Sequence, residues 1–151
     1  MRHILTLCVG NICRSPLAQV VLARELPQHH VRSAGLRAMV GYPADPEVVQ
    51  IGKEHGLDLL PHRAQQVTSI MCQQAELILV MEQSHKSQLE QLPEALGQCQ
   101  HLQKLMLAGN RLRELPASLA NCHNLELLRI AANQLDALPQ CLVQLPRLSW
   151  L

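Results

Sequence analysis

Apolar and polar positions switch repeatedly between strand and helix patterns over the first 91 or so residues. The run "RHILTLC" is apolar and of strand length, which predicts a buried β-strand. Ser15-Pro16 then predicts a helix start, with Ser15 as cap and Pro16 at the first helical position. Along "PLAQVVLAREL", Leu17, Val20, Val21 and Arg24 follow one another at helical spacing, and Pro27 stops the element. "HVRSAG" reads as a second short strand. Asp45-Pro46 repeats the cap-then-proline start ahead of "EVVQIGKEHG", where Gly56 is a natural helix end. "ELILVME" is apolar throughout, which predicts a third strand buried on both faces, and Ser84 is expected to cap "HKSQLEQL". Strands alternating with helices predict an α/β fold built on a parallel, doubly wound sheet.

The pattern changes from Leu92. "LPEALGQCQHLQKLMLAGNRLRE" is followed by "LPASLANCHNLELLRIAANQLDA" and by the opening of a third copy, "LPQCLVQLPRLSWL". The copies start at 92, 115 and 138, a period of 23 residues. Leu102/Leu125/Leu148, Leu105/Leu128/Leu151, Leu107/Ile130, Asn110/Asn133 and Leu112/Leu135 fall in register. An amphipathic helix does not fit, because L-x-x-L-x-L-x-x-N does not keep a 3.6-residue period. The segment resembles the leucine-rich repeat family. That resemblance implies one short parallel strand per repeat, here "KLML" and "LLRI", with the Asn side chains bonding the turning backbone.

Composition narrows the class. Of 151 residues, 13 are basic and 12 acidic, so a net charge of +1 gives no basic footprint for nucleic acid. The chain has no Phe, one Tyr and one Trp, so Leu, Val, Ile, Ala and Met must build the core. No apolar run approaches the roughly 20 residues needed to span a bilayer, and "RHILTLC" has no cleavage region behind it. No membrane association and a cytoplasmic location are therefore expected. The six cysteines (8, 13, 72, 99, 122 and 141) then read as free thiols, and no C-x-x-C pair suggests a metal site. No cofactor is called for.

The candidate chemistry lies in "LCVGNICRSP", between the first strand and the first helix. A loop at a helix N-terminus turns backbone N–H groups toward one point, where the helix dipole also favours an anion. Val9, Gly10, Asn11, Ile12, Cys13 and Arg14 would form that cradle, with Cys8 beneath it. Arg14 offers a planar fork suited to phosphate oxygens. Gly10 lets a ligand approach closely, and Ser15 can hydrogen-bond the Cys8 sulfur. The expected partner is phosphate or a similar oxyanion.

The loop resembles the phosphate-binding loop of the low-molecular-weight protein tyrosine phosphatases, a flavodoxin-like α/β family. The resemblance covers roughly residues 1–91, through "CVGNICRSP", "SAG" at 33–35, "ADPEVVQIGKEHGLDL" at 44–59, "HRA" at 62–64 and "LILVMEQSH" at 77–85. It implies that Cys8 is the nucleophile that forms a phosphocysteine and that Arg14 clamps the phosphate. It implies that Asn11 and Ser15 hold the loop and stabilise the thiolate, and that Cys13 is a second loop cysteine able to pair with Cys8. His29-His30 reads as a solvated turn and His62-Arg63 as a structural link between helix and sheet. Tyr42 reads equally as a pocket-mouth aromatic or as an exposed loop residue.

The same resemblance calls for a general acid in a late Asp-Pro-Tyr loop, and the repeats stand in its place. Asp45-Pro46 opens the second helix instead, and Asp136 belongs to a repeat turn. The expected organisation is a phosphatase-like part, 1–91, and leucine-rich repeats, 92–151, packed as one unit. A single parallel sheet would run second strand, first, third and then the repeat strands. This reads as an engineered chimera that keeps its phosphate loop with little or no turnover. The competing readings are an active phosphatase with an appended repeat module and a repeat-type binding protein with a phosphatase-like cap. The third repeat strand, at Trp150-Leu151, leaves an apolar edge through which self-association is expected.

Overall fold

The computed structural model describes residues 2–81, 94–138 and 140–149, with the backbone alone for Glu94, Ala95 and Cys141. The helix expected from Ser84 and the Trp150-Leu151 end of the third repeat strand lie outside the described residues.

Among the described residues five strands form one parallel sheet: β1 (His3–Cys8), β2 (His30–Gly35), β3 (Leu77–Val80), β4 (Lys104–Met106) and β5 (Leu127–Arg129). Their spatial order is β2-β1-β3-β4-β5, the order expected from the sequence. Pairing is continuous across the change in sequence grammar, with Leu77 opposite Lys104 and Lys104 opposite Leu127. The last of these offsets is one 23-residue repeat. Ser149 adds a further parallel bridge to Leu127.

Side chains alternate across a strand, so each strand sends every second residue to one face. Leu5, Leu7, Ile78, Val80, Leu105 and Leu128 share one core with Leu102, Leu107, Leu119 and Leu125. That core is roofed by the short α3 (Ser69–Gln74) and by 3₁₀ turns at Glu94–Gln98, Ala117–Asn121 and Gln140–Gln144. No helix is expected from the sequence at 69–74, where a short one is fixed by Thr68, whose hydroxyl accepts from Met71 N–H.

On the opposite face α1 (Arg14–Glu25) lies over β1 and β2, and α2 (Pro46–Glu54) packs beside it. Asp45 caps α2 as expected, its Oδ1 accepting from Glu47 N–H at 2.9 Å, and Gly56 turns the chain away at φ +70°. The expectation that β3 is buried on both faces fails. Ile78 and Val80 are buried, but Leu77 and Leu79 are half-exposed, because α1 covers the β1–β2 half of that face and leaves β3 partly uncovered.

In the repeats the Asn residues do what their positions imply. Asn110 Nδ2 donates to the Leu107 carbonyl at 2.8 Å. Asn133 Nδ2 donates to the carbonyls of Ile130 (2.8 Å) and Leu107 (2.9 Å), and its Oδ1 accepts from Leu112 N–H. Asn133 therefore ties its own turn to the preceding repeat.

Candidate functional site

The site is built where β1 ends and α1 begins. Cys8, the last residue of β1, is fully buried. Residues 9–13 form the loop, Arg14 starts α1 at the surface, and Ser15 is buried in its first turn. The predicted cap role of Ser15 is corrected: Cys13 occupies the cap position, with no side-chain capping bond. Ser15 is engaged elsewhere, its Oγ 2.9 Å from both Cys8 Sγ and Asn11 Nδ2. Pro16 accordingly sits two positions further along, at the third helical position and still within the first turn, where a missing N–H costs no helical bond.

Asn11 is the pivot of the loop. Its φ of +57° is left-handed, a conformation Asn tolerates better than most residues. Its Nδ2 donates to Ser15 Oγ and to Ser33 Oγ (3.0 Å), and its Oδ1 accepts from Gln65 N–H (2.9 Å). Ser33 Oγ in turn donates to Gln19 Oε1 at 2.6 Å, and Thr6 Oγ1 to the Ser15 carbonyl at 2.9 Å. This network is buried at Thr6, Asn11, Ser15 and Ser33, so each of its bonds fixes a side chain that has no water to turn to.

The backbone of the loop is tied from outside. The Cys8, Val9 and Gly10 carbonyls accept from the N–H groups of Leu36 (3.0 Å), Arg37 (2.9 Å) and Met39 (3.0 Å). The Asn11 carbonyl lies 2.7 Å from His62 Nε2, and Ile12 accepts from Asp45 N–H at 2.8 Å. Five consecutive carbonyls therefore face outward. In a trans peptide the N–H points opposite its carbonyl, and no peptide bond here is cis. The N–H groups of residues 9–13 consequently converge on the inner side of the loop, above the Cys8 sulfur. Aligned with the start of α1, that convergence has the geometry that suits an anion.

The structure places Cys8, the loop, Arg14 and Ser15 together. His62-Arg63 is expected to link helix and sheet, but His62 reaches the loop instead, at the Asn11 carbonyl. Gln19, Ser33, Gln65 and Thr6 also support the loop without any signal in the sequence, because strand and helix side chains far apart in sequence meet only through the fold. Asp45, expected only at the start of the second helix, also bonds the loop through its amide, at Ile12. Tyr42 is 58% exposed. His30 is not part of a turn: it opens β2 and stacks on His3, with ring centroids 5.1 Å apart. The remaining described cysteines, Cys72, Cys99 and Cys122, are buried in the core rather than at this site. A hydrogen bond with Cys72, and then burial, push the Cys99 thiol up, and burial does the same to Cys122.

The low molecular weight phosphotyrosine protein phosphatase model matches residues 3–115. The chain belongs to that family. A leucine rich repeat model matches residues 100–151. The probable low molecular weight protein-tyrosine-phosphatase EpsP of Ralstonia nicotianae is 48% identical over 90 residues, which take in 60% of this chain and 62% of that protein. The low molecular weight protein-tyrosine-phosphatase Wzb of Escherichia coli is 45% identical over 109 residues, covering 72% of this chain and 70% of that one. Among solved structures, the tyrosine phosphatase AmsI of Erwinia amylovora superposes with a TM-score of 0.52 at 49% identity, over 56% of this chain and 57% of that one. Wzb of Vibrio vulnificus in complex with benzylphosphonate gives 0.53 at 43% identity, over 65% of each chain. Wzb of Escherichia coli has been solved with sulphate, at 0.52 and 43% identity, over 56% of this chain and 60% of that one. The five-strand parallel sheet agrees with the flavodoxin-like architecture of these phosphatases.

Proposed function

We propose that the chain binds phosphate and related oxyanions in the Cys8–Arg14 loop, and that it dephosphorylates activated aryl phosphates only slowly. The observation that carries this is the run of five outward-bonded carbonyls, which directs the amides of residues 9–13 toward one point above Cys8. The sulphate and benzylphosphonate complexes of the related phosphatases support it. Catalysis would begin with attack of the Cys8 thiolate on phosphorus. An S–P bond forms, the aryl–oxygen bond to phosphorus breaks, and the aryl oxide departs with the electron pair. Water then cleaves the phosphocysteine and returns phosphate and the thiolate. With the sulfur ionised, Ser15 is the donor of the pair and holds the charge, while Arg14 and the loop amides hold the equatorial oxygens.

Slow turnover follows from the leaving group. A positioned acid supplies about 10²–10⁴-fold in such reactions. Among the described residues, Asp45 is the acidic residue whose backbone reaches the loop, and its carboxylate is engaged in capping α2. Aryl phosphates with acidic leaving groups need little protonation and lose least. In this reading residues 1–91 and 92–151 are two parts of a hybrid whose repeats complete the phosphatase sheet. Self-association belongs to the same proposal and rests on Leu138 and Val143, which are 43% and 60% exposed in the third repeat. Light scattering at high concentration tests it, a monomer counting against it.

The test of the main proposal is to measure phosphate and vanadate binding beside hydrolysis of an activated aryl phosphate. Oxyanion binding with slow turnover is expected. Hydrolysis at ordinary phosphatase rates with a bell-shaped pH profile would reveal an acid and overturn the slow-turnover reading. Absence of any oxyanion binding would overturn the site itself.

A further inference from the structure

The helix that opens at the anion cradle carries apolar residues on two sides. Within α1 only Ser15 and Pro16 are fully buried, and Leu17, Ala18, Val21 and Leu22 remain half-exposed. Arg14, Leu17, Ala18 and Val21 lie three or four positions apart and so share one face, which runs roughly 10 Å along the helix axis. Across from it stand the half-exposed Leu79 and Met81, with Ala108 from the turn after β4. Together these residues line a groove of ≈ 590 Å³ that reaches Arg14, a volume within the range of small-molecule sites.

We propose that the cradle and this groove form one binding site for phosphate monoesters that carry an unbranched alkyl chain. The phosphate would sit on the loop amides and Arg14, and the chain would lie between α1 and β3. The inference rests on the anion-binding reading above and names the ligand class for the same site. Two observations select an alkyl chain over a peptide. Among the described residues the groove walls are aliphatic apart from Arg14, so these walls offer a peptide backbone no side-chain partners. β3 is paired on both sides, to β1 and to β4, so it presents no strand edge for an extended chain to join. Continuity with Arg14 supplies the opposite requirement, a charged head beside an apolar track.

The test compares inorganic phosphate, ethyl phosphate and octyl phosphate by calorimetry on the intact chain, below the micelle concentration of the octyl ester. Full burial of a methylene is worth about fourfold in affinity, so a groove open on one side is expected to give about twofold per methylene. Val21→Asp and Ala18→Phe, one charging the groove and one filling it, are expected to abolish the dependence on chain length. Inorganic phosphate binding, read on the same variants, reports an intact cradle. Equal affinities for ethyl and octyl phosphate, with inorganic phosphate still bound, would overturn the groove and leave the anion site standing. Failure of all three ligands would overturn both. Vesicles containing phosphatidate form a further arm. Co-sedimentation that persists in Val21→Asp would assign alkyl-phosphate capture to surface charge and overturn the groove.

Discussion

His62 Nε2 lies 2.7 Å from the Asn11 carbonyl, joining residues 51 positions apart. The other four outward-facing loop carbonyls are held by main-chain amides, which only a proline, with its fixed φ, would remove. The His62 contact can be deleted by a side-chain change that leaves the backbone as it is. His62→Ala is expected to free the Asn11 peptide to rotate and to weaken phosphate binding about fivefold, the equivalent of ~1 kcal/mol for one hydrogen bond. His62→Gln, which keeps an N–H donor, is expected to restore most of it. Titration calorimetry with phosphate reads both, and an Ala variant that binds as tightly as the parent would show that the loop is set without His62.

Asn11 separates two contributions to the same loop. Its side chain makes three hydrogen bonds and its backbone holds φ at +57°. Asn11→Gly keeps the left-handed backbone accessible and loses the bonds, which strips partners from buried Ser15 and Ser33. A loss of about 2–3 kcal/mol in unfolding free energy is expected. Asn11→Ala adds the strain of a Cβ at positive φ, about 1 kcal/mol more. Urea denaturation of the two variants measures the difference, and equal stabilities would remove backbone strain from the account.

Much of this arrangement is legible in the sequence because its signals are local. The Cys8-to-Arg14 spacing, the Asp45-Pro46 start and the 23-residue register each fix an element from neighbouring residues alone. What escapes is set by the fold. Ser15 reads as a helix cap by its position before Pro16, yet its hydroxyl is taken by Cys8 and Asn11, because β1 brings the thiol beneath it. β3 reads as doubly buried because Leu77 and Leu79 are as apolar as Ile78 and Val80. Which of them is covered depends on where α1 lies. Gln19, Ser33 and Gln65 carry no spacing signal, since the contacts that recruit them cross from helix to strand to loop.

Gly35 limits how the loop can move. A Cβ placed there would stand 2.7 Å from the Val9 carbonyl oxygen and 2.8 Å from Ala38 Cα, both backbone atoms. Gly35→Ala is therefore expected to displace the loop rather than a flexible side chain, costing about 1–3 kcal/mol of stability and weakening vanadate binding. Gly35→Ala with unchanged vanadate affinity would show that the shift is absorbed at Ala38.

Cys8 and Arg14 divide chemistry from binding. Cys8→Ser removes the nucleophile while leaving the loop amides and Arg14, so residual aryl-phosphate hydrolysis is expected to vanish and phosphate binding to persist. Arg14→Ala removes a charge-assisted partner of the anion, and both readouts are expected to fall, binding by tenfold or more. Hydrolysis surviving in Cys8→Ser would assign the reaction to another group.

Gly109 and Ala132 are equivalent positions one repeat apart, and both sit in the left-handed region, at φ +77° and +56°. The turn after each repeat strand requires that backbone, since Gly109 N–H must reach the Ala131 carbonyl (3.0 Å) and Asn133 must fold back on Ile130 and Leu107. Gly adopts it freely, whereas Ala holds a Cβ against the following carbonyl at a cost of roughly 1–2 kcal/mol. The gain from Ala132→Gly is reduced by the greater freedom Gly has in the unfolded chain. A net stabilisation of about 0.5–1 kcal/mol is expected, with phosphate affinity unchanged because the turn lies two strands beyond β3, which adjoins the site. The reverse exchange, Gly109→Ala, is expected to destabilise by a similar or larger amount, because the same turn there lies against the Asn133 bonds of the next repeat. Urea denaturation of the pair decides it: if Ala132→Gly proves neutral or destabilising, the strain at 132 is already relieved by the Asn133 network.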